Sequence, residues 1–515
     1  MGSFAQVVAA SARVAQSSAR SRKIAELASC LRALDPDEVE LAIGYLSGSP
    51  RQGRLGVSHA TLHAVRAPPS QSATLRLRDV DSALDEIASV AGKGASARRA
   101  DALQRLLAAA TAEEQDFLAR LLTGELRQGA LHGVMLDAVA AAANVAPDAL
   151  RRAAMCAGGL PEVAAAALAD GEAGLQRYVV RPMQPVLPML AQSADSPQQA
   201  LERFGRAAFE WKLDGARVQV HKAEGDVRVF TRNLNDVTER VPELVDSIRP
   251  SPQRTMIVDG EVIALRADGT PLPFQQTMRR FGRRLDVAAM REQLALSAFF
   301  FDCLYADGEV LVERPARERF EALERCVAPD MIVRRIVTGD AGTASAFAEQ
   351  AVAAGHEGVV AKSLDARYEA GRRGAGWLKV KRANTLDLVV LAAERGHGRR
   401  SRWLSNLHLG ARDPVGGGFV MLGKTFKGLT DEMLAWQTAR FRELAVRDDG
   451  WTVHLRPELV VEIAFNEIQA SSQYPGGVAL RFARVKGYRP DKRAGEADTI
   501  DTVLRLHRAQ VQAAG

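Results

Sequence analysis

The chain runs to 515 residues, 47% hydrophobic and 25% charged, with 68 Lys and Arg against 62 Asp and Glu for a formal net charge of +6. That length is too great for one compact core and implies roughly two to four domains; the composition excludes a disordered or fibrous chain, and no run of about 18 apolar residues offers a membrane helix. Mild basicity suits a polyanionic partner without requiring one, and Cys30, Cys156, Cys303 and Cys326 contain no CxxC pair, which excludes a zinc knuckle and a disulfide framework and leaves a reduced, intracellular chain.

Residues 1 to 174 read as helical. Phe4, Val7 and Val8, then Ile24, Leu27 and Leu31, keep a helical spacing from one segment into the next. In LDPDEVELAIGYLSG, Asp35 stands where an N-cap belongs, Pro36 suits the first helical position, and Val39, Ala42, Ile43 and Leu46 form one apolar stripe. In TAEEQDFLARLLTGELRQG, Thr111 and Glu114 have capping-box spacing ahead of Phe117, Leu118, Leu121 and Leu122. These stripes predict a helical bundle.

The helical period ends in LPMLAQSADSPQQ, residues 187–199, whose Pro, Ser and Gln mark a linker or an edge. From Glu210 the pattern changes to β-like runs: ARVQVHK, VRVFTR, TMIVDGEVIAL, SAFFFDCLY, EGVVAKS and WLKVKR. Helical RPARERFEALERC and SAFAEQAVAAG lie between them, so the middle is α+β. From about Leu386 the runs LDLVVLAAE, GFVMLGKTF, WTVHLRP and LVVEIAFNEI, with turns such as DPVGGG, predict a small β-barrel for which an OB fold is a candidate. The expected division is a helical domain at 1–174, an α+β domain at 175–383 and a barrel at 384–515.

The stretch EWKLDGARVQVHK carries the chemistry. Only eleven of the 68 Lys and Arg are Lys, so Arg is this chain's default cation and Lys212 departs from it. Arg cannot be deprotonated, whereas a Lys whose pKa falls from about 10.4 to about 7–8 gains roughly 10²–10³ in nucleophilic amine. Asp214-Gly215 predicts a tight turn into the strand of Val218 and Val220, setting the amine at the lip of a sheet. Glu210, two residues earlier, shares a face with Lys212 in an extended segment. Lys379 and Lys381, on either side of Val380, share a face likewise. Glu261 and Glu357 are hard oxygen ligands suited to Mg²⁺.

Seven segments, in order, are similar to the motifs of the covalent nucleotidyltransferases and specifically of the ATP-dependent DNA ligases: KLDGAR, TRNLND, VDGEV, FFFDCLY, EGVVAK, WLKVK and RFARVKGYRPDK. The resemblance implies that Lys212 becomes adenylated, that Glu210 accepts a hydrogen bond from the adenine amine, and that Phe301 stacks on the base. It further implies nucleotide contacts from Arg217, Arg232, Glu261, Lys379, Lys381 and Arg373, with Arg372 as the alternative to Arg373. Glu261 and Glu357 would hold Mg²⁺, and Arg489, Asp491 and Lys492 would swing with the barrel to orient pyrophosphate. GELRQGALHGVMLDAVAAA, containing Arg127 and Gly129, resembles the helical DNA-binding domain of the multidomain type, and LPMLA resembles the segment that joins it to the catalytic core.

What the resemblance implies is a three-step reaction: AMP passes from ATP to Lys212, then to the 5′-phosphate of a nick, and is displaced by the 3′-hydroxyl. The implied partner is nicked double-stranded DNA, encircled by a monomer with no membrane association, in the cytoplasm and, if the source is bacterial, at the nucleoid. Three rivals stay open at this level: an RNA ligase, an mRNA capping guanylyltransferase that loads GMP, and a non-enzymatic DNA clamp with a dead nucleotide site.

Overall fold

Apolar stripes with a helical period build the first part of the molecule. The computed structural model describes residues 3–53, 55–65, 67–92, 94–126, 132–282, 287–370, 373–381, 384–397 and 400–512. From the helix Phe4–Gln16 to the helix Pro161–Leu175 this part is helical around one core that contains Phe4, Leu27, Ile43, Phe117 and Leu118. The Thr111 capping box forms: the Glu114 N–H donates to the Thr111 hydroxyl, and the Thr111 N–H donates to the Glu114 carboxylate at 2.8 Å. Asp35 stands at the expected N-cap and Pro36 just inside it, but of a 3₁₀ turn, Pro36–Glu38, without a side-chain cap bond, and the α-helix starts only at Val39. The spacing from Phe4 to Leu31 is likewise split into helices Phe4–Gln16 and Arg20–Arg32, yet Phe4, Val7, Leu27 and Leu31 reach the same core. Arg127 and Gly129 lie outside the described residues.

The middle part holds two five-stranded sheets. Its strands are β1 (Leu190–Ala194), β2 (Ala207–Trp211), β3 (Ala216–Ala223), β4 (Asp226–Thr231), β5 (Thr255–Ala264), β6 (Leu296–Ala306), β7 (Glu309–Val310), β8 (Arg335–Thr338), β9 (Gly358–Ser363) and β10 (Arg373–Lys381). One sheet has the order β1-β10-β9-β2-β8 and the other β4-β3-β5-β6-β7. Residues 187–199, read as a linker or edge, supply the edge strand β1, parallel to β10, and the start of the helix Pro197–Phe204.

The last part is β-rich: β11 (Asn384–Arg395), β12 (Leu404–Arg412), β13 (Phe419–Thr425), β14 (Ala445–Asp448), β15 (Thr452–Leu455), β16 (Val460–Phe465), β17 (Glu467–Ala470), β18 (Val478–Arg481) and β19 (Arg484–Tyr488). The order β13-β12-β11-β15-β14, with β16 bridging β11 and β19, wraps a core of Leu388, Leu407, Leu422 and Ile463. Two helices here, Asp431–Glu443 and Ile500–Gln512, are absent from the strand-only sequence reading. Thr430 caps the first by accepting the Met433 N–H at 3.1 Å, a local signal visible in TDEM. All four cysteines are buried and free. No single helix among the described residues is long and apolar enough to cross a membrane.

Candidate active site

Lys212 leaves the end of β2, and backbone bonds place it beside β9. The Lys212 N–H donates to the Gly358 carbonyl at 2.8 Å, and the Glu357 N–H donates to the Lys212 carbonyl at 3.0 Å. This ladder seats Glu357 against the lysine: its carboxylate pairs with the Lys212 ammonium and accepts from Lys381 at 2.6 Å. Glu261, on β5, accepts the Gly215 N–H at 3.2 Å.

The carboxylates around Lys212 work against the lowered lysine pKa that a nucleophile needs. Burial pulls the Lys212 ammonium down, but Glu357, Glu261 and Asp214 outweigh it and hold its pKa above the ordinary value. The carboxylates share the tension. Burial pushes Glu261 up to about 7 against the pull of Lys212 and Arg217. Burial and Glu357 push Asp214 up to about 6, opposed by Arg481. Glu357 goes the other way, because Lys212 and Lys381 more than offset its burial.

The tight turn expected at Asp214-Gly215 is also corrected. β2 and β3 are not a hairpin; they belong to different sheets, and the four residues between them cross from one to the other. Gly215 is required by proximity instead of by a left-handed φ: a Cβ there would meet the Val262 carbonyl oxygen at 2.2 Å and Ile263 Cγ2 at 2.5 Å. Gly215→Ala is therefore expected to destabilise the protein by about 1–3 kcal/mol. A urea melt checks this, and an unchanged midpoint would show that the crossing yields freely.

The lysine opens on a cavity of about 1310 Å³ whose wall includes Glu210, Lys212, Arg217, Arg232, Glu261, Phe301, Lys379 and Lys381. Alternation along β6 resolves the Phe299–Phe301 run: Phe300 is fully buried in the sheet core, while Phe301 faces the cavity, edge-on to Trp377 at 5.9 Å. Glu210 is only 2% exposed, and both its oxygens are engaged, one by Arg335 at 2.7 Å and the other by Lys362 at 2.7 Å. Each oxygen keeps a further lone pair for a donor in the cavity. The Arg217 guanidinium lies 5.3 Å from the Phe301 ring centroid and donates to the Met189 carbonyl and Asp259. Arg232 is exposed at the rim.

Two groups named from the sequence stand apart from this wall. Arg489 pairs with Asp387 at 2.9 Å and Asp491 at 2.6 Å, and Lys492 pairs with Asp387 at 2.5 Å, so all three sit against β11 and not beside Lys212. Arg373 begins β10 opposite Leu190, with its side chain outside the described residues, as is the whole of Arg372. The barrel instead presents Lys427, Phe482, Arg484 and Lys486 to the cavity, and Arg481 reaches Asp214 at 3.2 Å. These residues, with Lys362, Arg335 and Trp377, were missed. For the lysines the signal was present: each breaks the same Arg habit that drew attention to Lys212.

Among the described residues no three His, Cys, Asp or Glu converge as a ready-made metal centre. The donor chemistry nevertheless fits Mg²⁺, which takes one or two carboxylates plus substrate oxygens. Glu261, half-buried and with its carboxyl pKa pushed up by desolvation, is such a carboxylate, and Glu357 is another.

A family model described as the ATP dependent DNA ligase domain matches residues 188–381, one described as the ATP dependent DNA ligase C terminal region matches 400–492, and one described as the DNA ligase N terminus matches 49–140. A probable DNA ligase from Anaeromyxobacter sp. (strain Fw109-5) is 59% identical over 513 residues, covering 99% of each chain. Another, from Mycolicibacterium gilvum (strain PYR-GCK), is 55% identical and covers 97% of this chain and 98% of its own. The solved structure Pmar-Lig_PreS3 is 18% identical with a TM-score of 0.62 over 94% of this chain and 99% of that one, so the two share a fold. With motifs, architecture and full-length relatives in agreement, the chain belongs to the ATP-dependent DNA ligases.

Proposed function

We propose that this ligase acts through Lys212, whose amine attacks the α-phosphate of ATP and releases pyrophosphate, passes the AMP to the 5′-phosphate of a nick in duplex DNA and leaves the 3′-hydroxyl to displace it. The observation that carries this reading is the Lys212 amine opening on the large cavity beside Glu357 and Glu261, with Lys381 sharing the same carboxylate.

The residues divide the work by position. Lys379 and Lys381 line the wall shared with Lys212 and would meet the α-phosphate, where negative charge builds up during transfer. Phe301, edge-on to Trp377, would offer a ring face to the base, and Glu210, locked by Arg335 and Lys362, would offer its remaining lone pairs to the adenine amine. Arg217, Arg232 and Arg373 complete the nucleotide contacts. Glu357, Glu261 and Asp214 keep the lysine protonated, so any positive charge drawn to Glu261 and Glu357 weakens their hold on the proton. Glu261 and Glu357 would hold Mg²⁺, which would supply such charge and neutralise phosphate oxygens. Arg489 and Lys492 face Asp387 here and Asp491 pairs with Arg489, so their pyrophosphate role requires the barrel to turn.

The same reading divides the chain at 174/175 and 383/384 and has the protein act as a monomer closed around DNA, in the cytoplasm. Incubation with α-labelled ATP and Mg²⁺ tests it. The label should lie on the peptide containing Lys212 and be discharged by pyrophosphate or by nicked duplex. A label on another lysine, or loading by GTP in preference to ATP, would overturn it.

A further inference from the structure

The segment that leads from the helical part into β1 carries a proline at every third position, Pro182, Pro185 and Pro188, which restricts its backbone. The residue after each proline is held by an alternate residue of β3. The Met183 N–H donates to His221 Nδ1 at 3.0 Å; Val186 exchanges two bonds with the Gln219 amide, its N–H donating at 2.8 Å and its carbonyl accepting at 3.3 Å; and the Met189 carbonyl accepts from Arg217 at 2.6 Å. Residues 217, 219 and 221 lie on one face of β3 because strand side chains alternate. The segment is thus a strap, clipped at three points.

The first two clips are polar groups placed where apolar packing would serve. Gln219 is 3% and His221 0% exposed. Burial drives the imidazole pKa down to about 3, so the ring is neutral. Since Nδ1 accepts the Met183 N–H, Nε2 carries the proton and donates to Gln219 Oε1 at 2.9 Å. A buried network in which each group is satisfied specifies one arrangement, whereas leucines would permit slippage. Met183 is held at φ +69°, a conformation unfavourable for a side-chain-bearing residue, which shows that the clip overrules the local backbone preference.

The strap faces the helical part on its other side. The Leu187 N–H donates to the Met155 carbonyl at 3.0 Å, and Met155 and Cys156 pack with Val186, Met189 and Trp377 in one cluster. Met189 also donates its N–H to the Tyr368 hydroxyl, which bonds Asp259, the partner of Arg217. One strand therefore carries both a wall of the nucleotide cavity and the anchor of the helical part.

We infer that Gln219 and His221 are positioning residues for the DNA-dependent steps: they fix the strap in one register on β3 and so hold the helical part at the offset from the cavity that a nick must span. The inference rests on the lysyl-AMP reading only for part of its assay.

The test compares Gln219→Met, His221→Leu and His221→Gln with the parent protein. His221→Gln can still accept from Met183 and donate to residue 219. Loading from ATP should stay within about threefold in all of them, while sealing from preformed enzyme-adenylate, and nick affinity, should fall by about tenfold or more in the first two and recover in His221→Gln. Loading and sealing that fall together, or sealing that does not fall, would overturn the inference. Hydrogen exchange on the parent protein decides the matter if a variant does not fold: Met183 and Val186 amides protected as strongly as those of β3 support the clips, and fast exchange there refutes them. Should the parent take no label from ATP, the lysyl-AMP reading fails, and nick affinity alone still reads the strap.

Discussion

Lys212→Arg is expected to abolish enzyme-adenylate formation and to lower nick sealing by at least about 10⁴-fold, with nick affinity held within about twofold. The substitution keeps the positive charge that faces Glu357, so the ion pair and the surrounding carboxylates remain compensated. What it removes is the capacity to become neutral. The carboxylates around Lys212 already raise its pKa, and a guanidinium starts from a far higher value, so no rearrangement of Glu261 or Glu357 can free a lone pair. Mass spectrometry for an adduct, beside a gel assay on nicked duplex, measures both quantities. Persistent sealing by the variant would show that a different group carries the AMP.

Arg319→Met is expected to destabilise the fold by about 3–5 kcal/mol, the usual consequence of stranding one member of a buried pair. Asp302 on β6 and Arg319 in the helix Ala316–Cys326 are both 0% exposed, joined at 2.7 Å, and Arg319 also donates to the Arg314 and Ala366 carbonyls. Burial pushes the Asp302 pKa up, but Arg319, Lys362 and Arg335 outweigh it and leave it below the ordinary value. A depressed carboxyl contributes stability above its unfolded pKa of about 3.9 and loses it as pH falls through the folded value. Without Arg319 burial dominates and the sign reverses: the variant's deficit should shrink on acidification from pH 7 toward pH 5. Urea melts at the two pH values check both points, and a deficit below about 1 kcal/mol, or one that grows in acid, would contradict the role given to the pair. Because Asp302 adjoins Phe301, the variant should also load AMP poorly.

Much of this was legible along the chain, for a local reason. Thr111 and Glu114 announce a capping box three residues apart, and the alternation of β3 and β10 places Val218 with Val220 and Lys379 with Lys381. Failures of the same reading have local causes too. The cap at Thr430 went unread within a run of strands, and Asp214-Gly215 looked like a tight turn because a close approach and a tight turn both demand glycine.

The sequence by itself determined most of the elements, and that the neutral amine the proposed chemistry needs can come from a lysine such as Lys212 and never from an arginine, since both depend on residue type and on neighbours a few positions away. Only the tertiary structure decided what meets that lysine: Glu357 is brought alongside by β2–β9 pairing, and Asp214 meets Arg481 across 267 positions of chain. It also decided that Arg489 and Lys492 turn to Asp387 while Lys427 and Lys486 turn to the cavity, and that burial and neighbouring carboxylates together set the charge on the amine. Strand order and burial are properties of the folded whole, and a Coulomb interaction depends on distance in space, which the spacing of letters does not contain.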